Sequence, residues 1–300
     1  MHPHGVSSSG RSSPSIGLAD LVHQGVLDPP LAGLLSLLVE SRVPLVVAAG
    51  PQGTGKSTLL EALLAFLPAG VTVRALAGYA EDFGWLPEAA TLGWRPHGFR
   101  GISSAGGVDS SAPVGAPERP IPTPERPVGP AITYLLVHEF SEHLPSYTWG
   151  EQARIAVRAL SLGYGLGGTI HADSLEEVFA ELGGTGVGLT DDELSRIGVV
   201  LILRIVPHPA TGVHVRRIVA AHYVRPVARD AAGHVQRLGP AVLATWDPAT
   251  DRFEDFSWGV AAELAERVGR KVGDFDGEVA RRAATFTIHA WTALPEAGQA

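Results

Sequence analysis

The first two thirds of the chain alternate between short apolar runs and longer stretches with helical periodicity. Alternation of this kind is typical of a parallel sheet with crossover helices. The apolar runs predict buried strands at 45–49, 71–76, 132–137, 167–171 and 199–205. We therefore predict an α/β core over residues 16–206.

The helices are predicted from periodicity together with capping and helix-breaking residues. Two short helices are expected within 18–39, separated at Asp28, and further helices at 56–67 and 152–162. Two more helix starts show a Ser or Thr followed three residues later by Glu, which is the spacing of a capping box. These pairs are Ser174 with Glu177 and Thr190 with Glu193.

Three segments depart from the alternating pattern. Residues 1–15 are rich in Ser and predict a disordered leader, and 95–130 contain eight prolines and six glycines, which predicts an insertion. Residues 207–300 predict a small C-terminal β/α appendage. Its expected elements are short strands within 213–253 and helices at 260–272 and 278–284.

Composition excludes several classes of function. The absence of cysteine excludes disulfides, thiolate metal sites and cysteine nucleophiles. A net charge of −8 is unfavourable for bulk binding of nucleic acid, so no nucleic-acid partner is expected. The leader lacks the charged-then-apolar order of a signal peptide, and no run of 18 apolar residues occurs, which predicts a cytoplasmic protein.

Lysine is rare in this chain, and one of its two lysines lies in a glycine-rich segment. The 23 basic residues are 21 arginines and two lysines, Lys56 and Lys271. Residues 50–57, GPQGTGKS, fit the phosphate-loop pattern G-x-x-x-x-G-K-[ST] between a predicted strand and a predicted helix. Arginine does not replace the compact ammonium that such a loop uses.

This loop predicts binding of ATP with Mg²⁺. Glycines let backbone N–H groups surround phosphates, and the helix N-terminus adds partial positive charge. Lys56 is expected to reach the β- and γ-phosphates, and Ser57 to offer its hydroxyl to Mg²⁺. The residues predicted to bind the nucleotide are Gly50, Pro51, Gln52, Gly53, Thr54, Gly55, Lys56, Ser57 and Thr58.

Hydrolysis also requires a carboxylate that orients or deprotonates the attacking water. Glu139 lies directly after the predicted strand 132–137 and its flanking His138, which makes it the first candidate for this role and for contact with Mg²⁺. Glu81, after the predicted strand 71–76, is the alternative base.

Three segments resemble the archaeal-type branch of the type II/IV secretion ATPases. Residues 15–66 resemble the lead-in and phosphate loop of that family, 168–174 (GTIHADS) its His box, and 215–227 (VRRIVAAHYVRPV) the strand after its ATPase core. The family consists of P-loop NTPases with a RecA-like parallel sheet and flanking helices.

The resemblance implies roles for individual residues and for partners. Lys56 and Ser57 correspond to the ligands of ATP and Mg²⁺, Glu139 to the Walker B glutamate, Glu81 to the acidic Asp box and His171 to the His-box histidine. It further implies a homo-oligomer, a hexameric ring, that acts on a membrane platform protein from the inner face of the membrane.

Two departures from the family pattern keep other functions open. His138 precedes Glu139 where the family has glycine, and Phe140-Ser141-Glu142 follows where it has an arginine. For the arginine contacts between subunits that the resemblance implies, Arg95 and Arg100 are the nearest candidates. The alternatives are a nucleotide-binding switch with reduced or lost hydrolysis and a P-loop kinase of a small molecule.

Overall fold

The computed structural model describes residues 16–95, 129–229 and 235–292. The predicted leader and nearly all of the predicted insertion lie outside these ranges, and so does Arg100. The strands are β1 (Leu45–Ala48), β2 (Thr72–Ala75), β3 (Thr133–Phe140), β4 (Gly165–Ile170), β5 (Val199–Pro207), β6 (His214–Tyr223), β7 (Ala228–Arg229), β8 (Val235–Gln236), β9 (Ala241–Asp247) and β10 (Arg252–Asp255). The α-helices are α1 (Leu18–His23), α2 (Pro29–Glu40), α3 (Lys56–Leu64), α4 (Gly150–Arg158), α5 (Leu175–Gly183), α6 (Asp191–Leu194), α7 (Ala261–Arg267) and α8 (Val272–Thr292).

Eight strands form one sheet in the spatial order β10-β9-β6-β5-β1-β4-β3-β2, and β7 pairs with β8. Five neighbouring strands of this sheet are parallel to one another, as predicted: β5, β1, β4, β3 and β2. β6, β9 and β10 extend this sheet as antiparallel strands. Because β4 lies between β1 and β3, the carboxyl ends of these three strands meet at one edge of the sheet.

Helices cover both faces of the central strands β1, β4 and β3, which explains why most residues of these strands are buried and apolar, whereas the edge strand β2 is largely exposed. In β1, Leu45 and Val47 pack in a core with α1, α2, α3 and α8, whereas Val46 and Ala48 pack in a second core with α4 and α5. The alternation follows from the two-residue period of a strand. The sequence therefore determines which side of β1 each residue faces.

The predicted helix starts before α2, α5 and α6 are confirmed. The Asp28 carboxylate accepts a hydrogen bond from the Leu31 N–H at 3.0 Å and caps α2. Ser174 and Thr190 are the N-cap residues of α5 and α6. Side-chain oxygens at these positions satisfy N–H groups that a helix leaves unpaired.

Two predicted boundaries are wrong. β3 continues to Phe140, so Glu139 lies inside the strand, where its carbonyl accepts a hydrogen bond from the Thr148 N–H at 2.9 Å. The predicted helix 278–284 is the middle of α8, whose packing on α2 outweighs the glycines in its first turns. A side chain at Gly33 of α2 would come within 2.7 Å of the Val279 carbonyl oxygen, so the two helices approach closely.

The residues assigned to the appendage continue the sheet of the predicted core. β6 pairs with β5 over its whole length. Ile218 and Tyr223 of β6, Leu264 of α7 and Phe286 of α8 are buried in the same core as α1, α2 and α3. The C-terminal segment thus lies close enough to the carboxyl edge of β1 to contribute side chains there.

A buried arginine joins β6 to the turn between α1 and α2. Arg217 is 5% exposed and donates from Nε to the Asp251 carboxylate at 2.9 Å and from Nη1 to the Gln24 carbonyl at 3.3 Å. The hydrogen bond from Arg217 holds the pKa of Asp251 below its usual value. The Ile218 N–H donates to the Val26 carbonyl at 2.8 Å, which fixes the same turn.

No helix within the described ranges combines the length and the apolar character needed to cross a bilayer.

Candidate functional site

The segment between β1 and α3 is a glycine-dependent loop. Gly53 and Gly55 have φ angles of +75° and +103°, a region that residues with a side chain rarely adopt. Gly50 is constrained differently, because a Cβ at this position would overlap the Asp173 carboxylate. All three glycines of the motif are therefore explained, two by their backbone conformation and one by the close approach of the Asp173 carboxylate.

Hydrogen bonds within and around the loop fix its shape. The Thr54 hydroxyl, which is buried, donates to the Pro51 carbonyl at 2.6 Å and closes the loop on itself. The N–H of Gly50 donates to Asp173 Oδ1 at 3.1 Å, and its carbonyl lies 2.7 Å from His171 Nδ1. The peptide groups on both sides of the Gly50 Cα are thus held by the segment after β4.

Arg216 of β6 contacts the loop from outside. Its Nε donates to the Thr54 carbonyl at 2.8 Å, and its Nη2 to the Gly53 carbonyl at 3.3 Å. In a trans peptide the C=O and the following N–H point in opposite directions. Binding of these two carbonyls therefore turns the N–H groups of Thr54 and Gly55 away from the guanidinium. The sequence pattern did not single out Arg216, although this residue lies in the family-like segment 215–227.

Glu139 is brought to the loop by an irregularity between β3 and β4. Val137 is paired with Gly168 and Phe140 with Ile170, so two residues of β3 oppose one of β4. A bulge of this kind redirects side chains at the end of a strand. Glu139 is only 7% exposed, and its Oε2 lies 3.6 Å from Lys56 Nζ.

The two oxygens of the Glu139 carboxylate have different surroundings. Oε2 accepts a hydrogen bond from the Thr169 hydroxyl at 2.8 Å and faces Lys56. Oε1 is buried and has no hydrogen-bond partner within the described ranges. A buried acceptor that no group satisfies is costly, so Oε1 is the atom of this site that most requires a partner.

His171 lies between the loop and Glu139. Its Nδ1 is 2.7 Å from the Gly50 carbonyl and 3.3 Å from Lys56 Nζ, and its Nε2 is 4.0 Å from Glu139 Oε1. Nδ1 cannot both donate to the carbonyl and accept from the lysine. We assign the proton to Nδ1 because the contact with the carbonyl is shorter, which leaves the Nε2 lone pair on the side of Glu139.

Lys56 is the cation at the centre of this group. It is 7% exposed at the start of α3. Burial lowers the pKa of Lys56, and the neighbouring Glu139 carboxylate acts in the opposite direction. The ammonium thus lies where an additional anion would compensate for the solvation energy that burial removes.

Glu81 is held away from this group. Its carboxylate is 6% exposed and accepts hydrogen bonds from the N–H groups of Ala77 and Phe83 at 3.0 and 3.2 Å and from Trp85 Nε1 at 2.9 Å. It does not line the cleft at the loop. In this structure Glu81 stabilises the turn after β2.

The loop opens into a cleft of about 710 Å³. Its polar side is formed by Gln52, Ser57, Thr58 and the group around Lys56, with the Ser57 side chain exposed. Gly50 and Pro51 begin the loop outside this lining, and Arg95 does not reach it either. The apolar side of the cleft is formed by Ile16, Leu21, Val26, Leu144 and Tyr147.

The protein alone offers few ligands for a metal in this cleft. In the part of the chain that the structure describes, no three or more His, Asp or Glu side chains converge as a metal site. Mg²⁺ in phosphate-binding sites is held through one or two protein groups together with phosphates and water. The Ser57 hydroxyl, together with Glu139 acting through a water molecule, is compatible with that arrangement.

Comparison with solved structures gives a distant similarity to the Legionella pneumophila ATPase DotB. The TM-score is 0.29 and the identity is 13%, over 85% of this chain and 58% of the DotB chain. The chain therefore spans less than two thirds of the DotB chain that it matches. No protein-family model and no curated protein matches the chain.

Proposed function

We propose that this protein is a P-loop ATPase that binds ATP with Mg²⁺ in the cleft and hydrolyses it to ADP and phosphate. The observation that carries the proposal is the meeting of a GPQGTGKS loop with a buried carboxylate. Lys56 Nζ lies 3.6 Å from Glu139 Oε2 at the end of that loop, and the other carboxylate oxygen of Glu139 has no hydrogen-bond partner among the described residues.

Binding of the phosphates would use the loop and the start of α3. Arg216 binds the carbonyls of Gly53 and Thr54, so the N–H groups of Thr54 and Gly55 point away from its guanidinium. These N–H groups can therefore point at phosphate oxygens. Lys56 adds a compact positive charge that is already desolvated. The cost of burying this lysine is offset when a polyanion enters the cleft.

The residues present fit a bound Mg²⁺. Ser57, exposed at the start of α3, would hold the ion through its hydroxyl, and Glu139 would contact the ion through a coordinated water molecule. When bound, the ion supplies neutralisation of charge on the phosphate oxygens.

Glu139 would act as the base in hydrolysis. Its Oε1 can accept the hydrogen bond of a water molecule and then its proton, as the water oxygen attacks the γ-phosphorus and ADP leaves. Lys56 stabilises the negative charge that develops on the transferred group. His171 presents the lone pair of Nε2 beside the same carboxylate oxygen and is proposed to accept a hydrogen bond from the attacking water, whereas contact with the γ-phosphate would need a proton on Nε2. Glu81 remains the alternative base, although its three hydrogen bonds do not favour this role.

The proposal extends to kinship with the motors of type II/IV secretion, pilus or archaellum systems. Its support is the resemblance of residues 15–66, 168–174 and 215–227 to that family. On this basis we propose a RecA-like core that assembles as a homo-oligomeric ring and acts on a membrane platform protein. Arg95 and Arg100 are the candidates for contacts between subunits.

Replacement of Arg216 by alanine is expected to weaken ATP binding about 10- to 150-fold, because a charged hydrogen bond to the loop contributes about 1.5–3 kcal/mol. The dissociation constant of a fluorescent ATP analogue measures this effect. Arg270→Ala, in the exposed connection between α7 and α8, is the matched control and should leave the affinity unchanged. Equal affinities of Arg216→Ala and the parent would contradict the role assigned to Arg216.

The proposed function is tested by release of phosphate from ATP by the purified chain, with and without Mg²⁺, and by gel filtration under both conditions. We expect hydrolysis that requires Mg²⁺ and stops in EDTA. Binding of ATP without hydrolysis would support the nucleotide-binding switch instead. Consumption of ATP only in the presence of an acceptor would support the kinase.

A further inference from the structure

Thr169 is fixed at the centre of the sheet, directly against Glu139. It is fully buried on β4 and paired with Val47 of β1 on one side. On the other side it lies opposite the bulge of β3, where the two residues His138 and Glu139 stand against the single residue Thr169. Threonine is restricted at χ1, so its hydroxyl is held in a defined direction.

The Thr169 hydroxyl and the Lys56 ammonium both contact the same oxygen of Glu139. The hydroxyl donates to Oε2 at 2.8 Å, and Lys56 Nζ lies 3.6 Å from that oxygen. Oε1 receives no hydrogen bond within the described chain, and His171 Nε2 lies 4.0 Å from it. A carboxylate whose first oxygen is bound on two sides can rotate little, so its second oxygen keeps one direction.

We propose that Thr169 is a positioning residue that selects Oε1 of Glu139 as the oxygen that accepts the proton of water. This inference rests on the proposed ATPase function. By occupying Oε2, the hydroxyl leaves Oε1 as the oxygen of this cleft-lining residue that has no hydrogen bond within the described chain. The hydroxyl thereby decides which carboxylate oxygen is free to accept the proton.

The same hydroxyl has a second acceptor for the protonated state. Thr169 Oγ1 lies 2.5 Å from the His138 carbonyl, and its single proton can serve only one acceptor fully. Ionised Glu139 is the stronger acceptor because charge strengthens a hydrogen bond. Once Oε1 has taken the proton, the carboxyl is neutral and the hydroxyl can turn to the carbonyl without being left unpaired.

Two variants of similar shape test this role. Thr169→Val keeps the branched shape and removes the hydroxyl, and it is expected to lower kcat about 10- to 100-fold with the ATP dissociation constant within about twofold of the parent. Thr169→Ser keeps the hydroxyl and should retain kcat within about threefold. Thr169→Ala lacks the hydroxyl without added bulk and should repeat the loss, even where the valine variant folds poorly.

A double variant separates positioning from a general defect. In the Glu139→Gln background, Thr169→Val is expected to cause no further loss of the residual rate, because the base that it positions is absent. An additive loss would overturn the proposal, and so would a parental kcat in Thr169→Val or a loss of ATP affinity equal to the loss of rate.

These outcomes are distinguishable from failure of the proposed function. If the parent hydrolyses ATP and depends on Lys56 and Glu139 but not on Thr169, only the present inference is wrong. If the parent shows no hydrolysis at all, the ATPase function and the positioning role are both overturned.

Discussion

Replacement of Glu139 by glutamine is expected to lower the rate of ATP hydrolysis about 10²- to 10⁴-fold, which is the contribution of a general base. Glutamine has nearly the same size and can still accept a hydrogen bond from Thr169. It has no carboxylate oxygen that can take a proton, so the loss affects kcat. ATP binding is expected to persist, because Lys56 and the loop remain in place.

The control for this variant is Glu142→Gln, an exposed glutamate three residues further along the chain. It removes the same charge at nearly the same place and should hydrolyse ATP at the parental rate. Single-turnover phosphate release and titration with a fluorescent ATP analogue together separate chemistry from binding. A Glu139→Gln variant with parental kcat would exclude Glu139 as the base and favour Glu81, for which the corresponding Glu81→Gln variant can be measured.

Replacement of Lys56 by alanine is expected to abolish both ATP binding and hydrolysis under ordinary assay conditions. Removal of one partner from a buried charge contact costs about 2–5 kcal/mol, which lowers affinity by one and a half to more than three orders of magnitude. The variant also leaves Glu139 without its cation at 3.6 Å. The negative charge that remains then repels the phosphates.

The second lysine of the chain provides the matched control. Lys271 is exposed between α7 and α8, and Lys271→Ala changes net charge by the same amount as Lys56→Ala. Isothermal titration with ATP and Mg²⁺ should give parental affinity for the Lys271 variant. If both lysine variants bind ATP as the parent does, the nucleotide is not bound at the phosphate loop, and the proposed function is wrong.

The strands and most helix starts could be predicted because their signals are local. The five apolar runs became the parallel strands, and all of them except the exposed edge strand β2 are largely buried, where few polar residues are tolerated. The end of β3 could not be predicted, because His138 and Glu139 are polar and enter the strand through tertiary contacts. The length of α8 likewise depends on its packing against α2.

The candidate site was predicted most directly where its residues are contiguous. Residues 50–57 carry their own signal, since glycine conformation, lysine and the helix start all lie within eight positions. Glu81 shows the limit of this reasoning. An acidic residue after a strand has the same sequence pattern whether it faces a ligand or accepts hydrogen bonds from its own turn, as Glu81 does.

The sequence by itself determined the phosphate loop, the lysine within it and the class of sheet that carries it, because each depends on neighbours along the chain. Only the tertiary structure decided what surrounds Lys56. The position of β4 between β1 and β3 sets Thr169 against Glu139, and the antiparallel β6 brings Arg216 to Thr54 from 162 residues away. Strand order and bulges arise from packing and pairing across the whole chain, and no local pattern of residues records them.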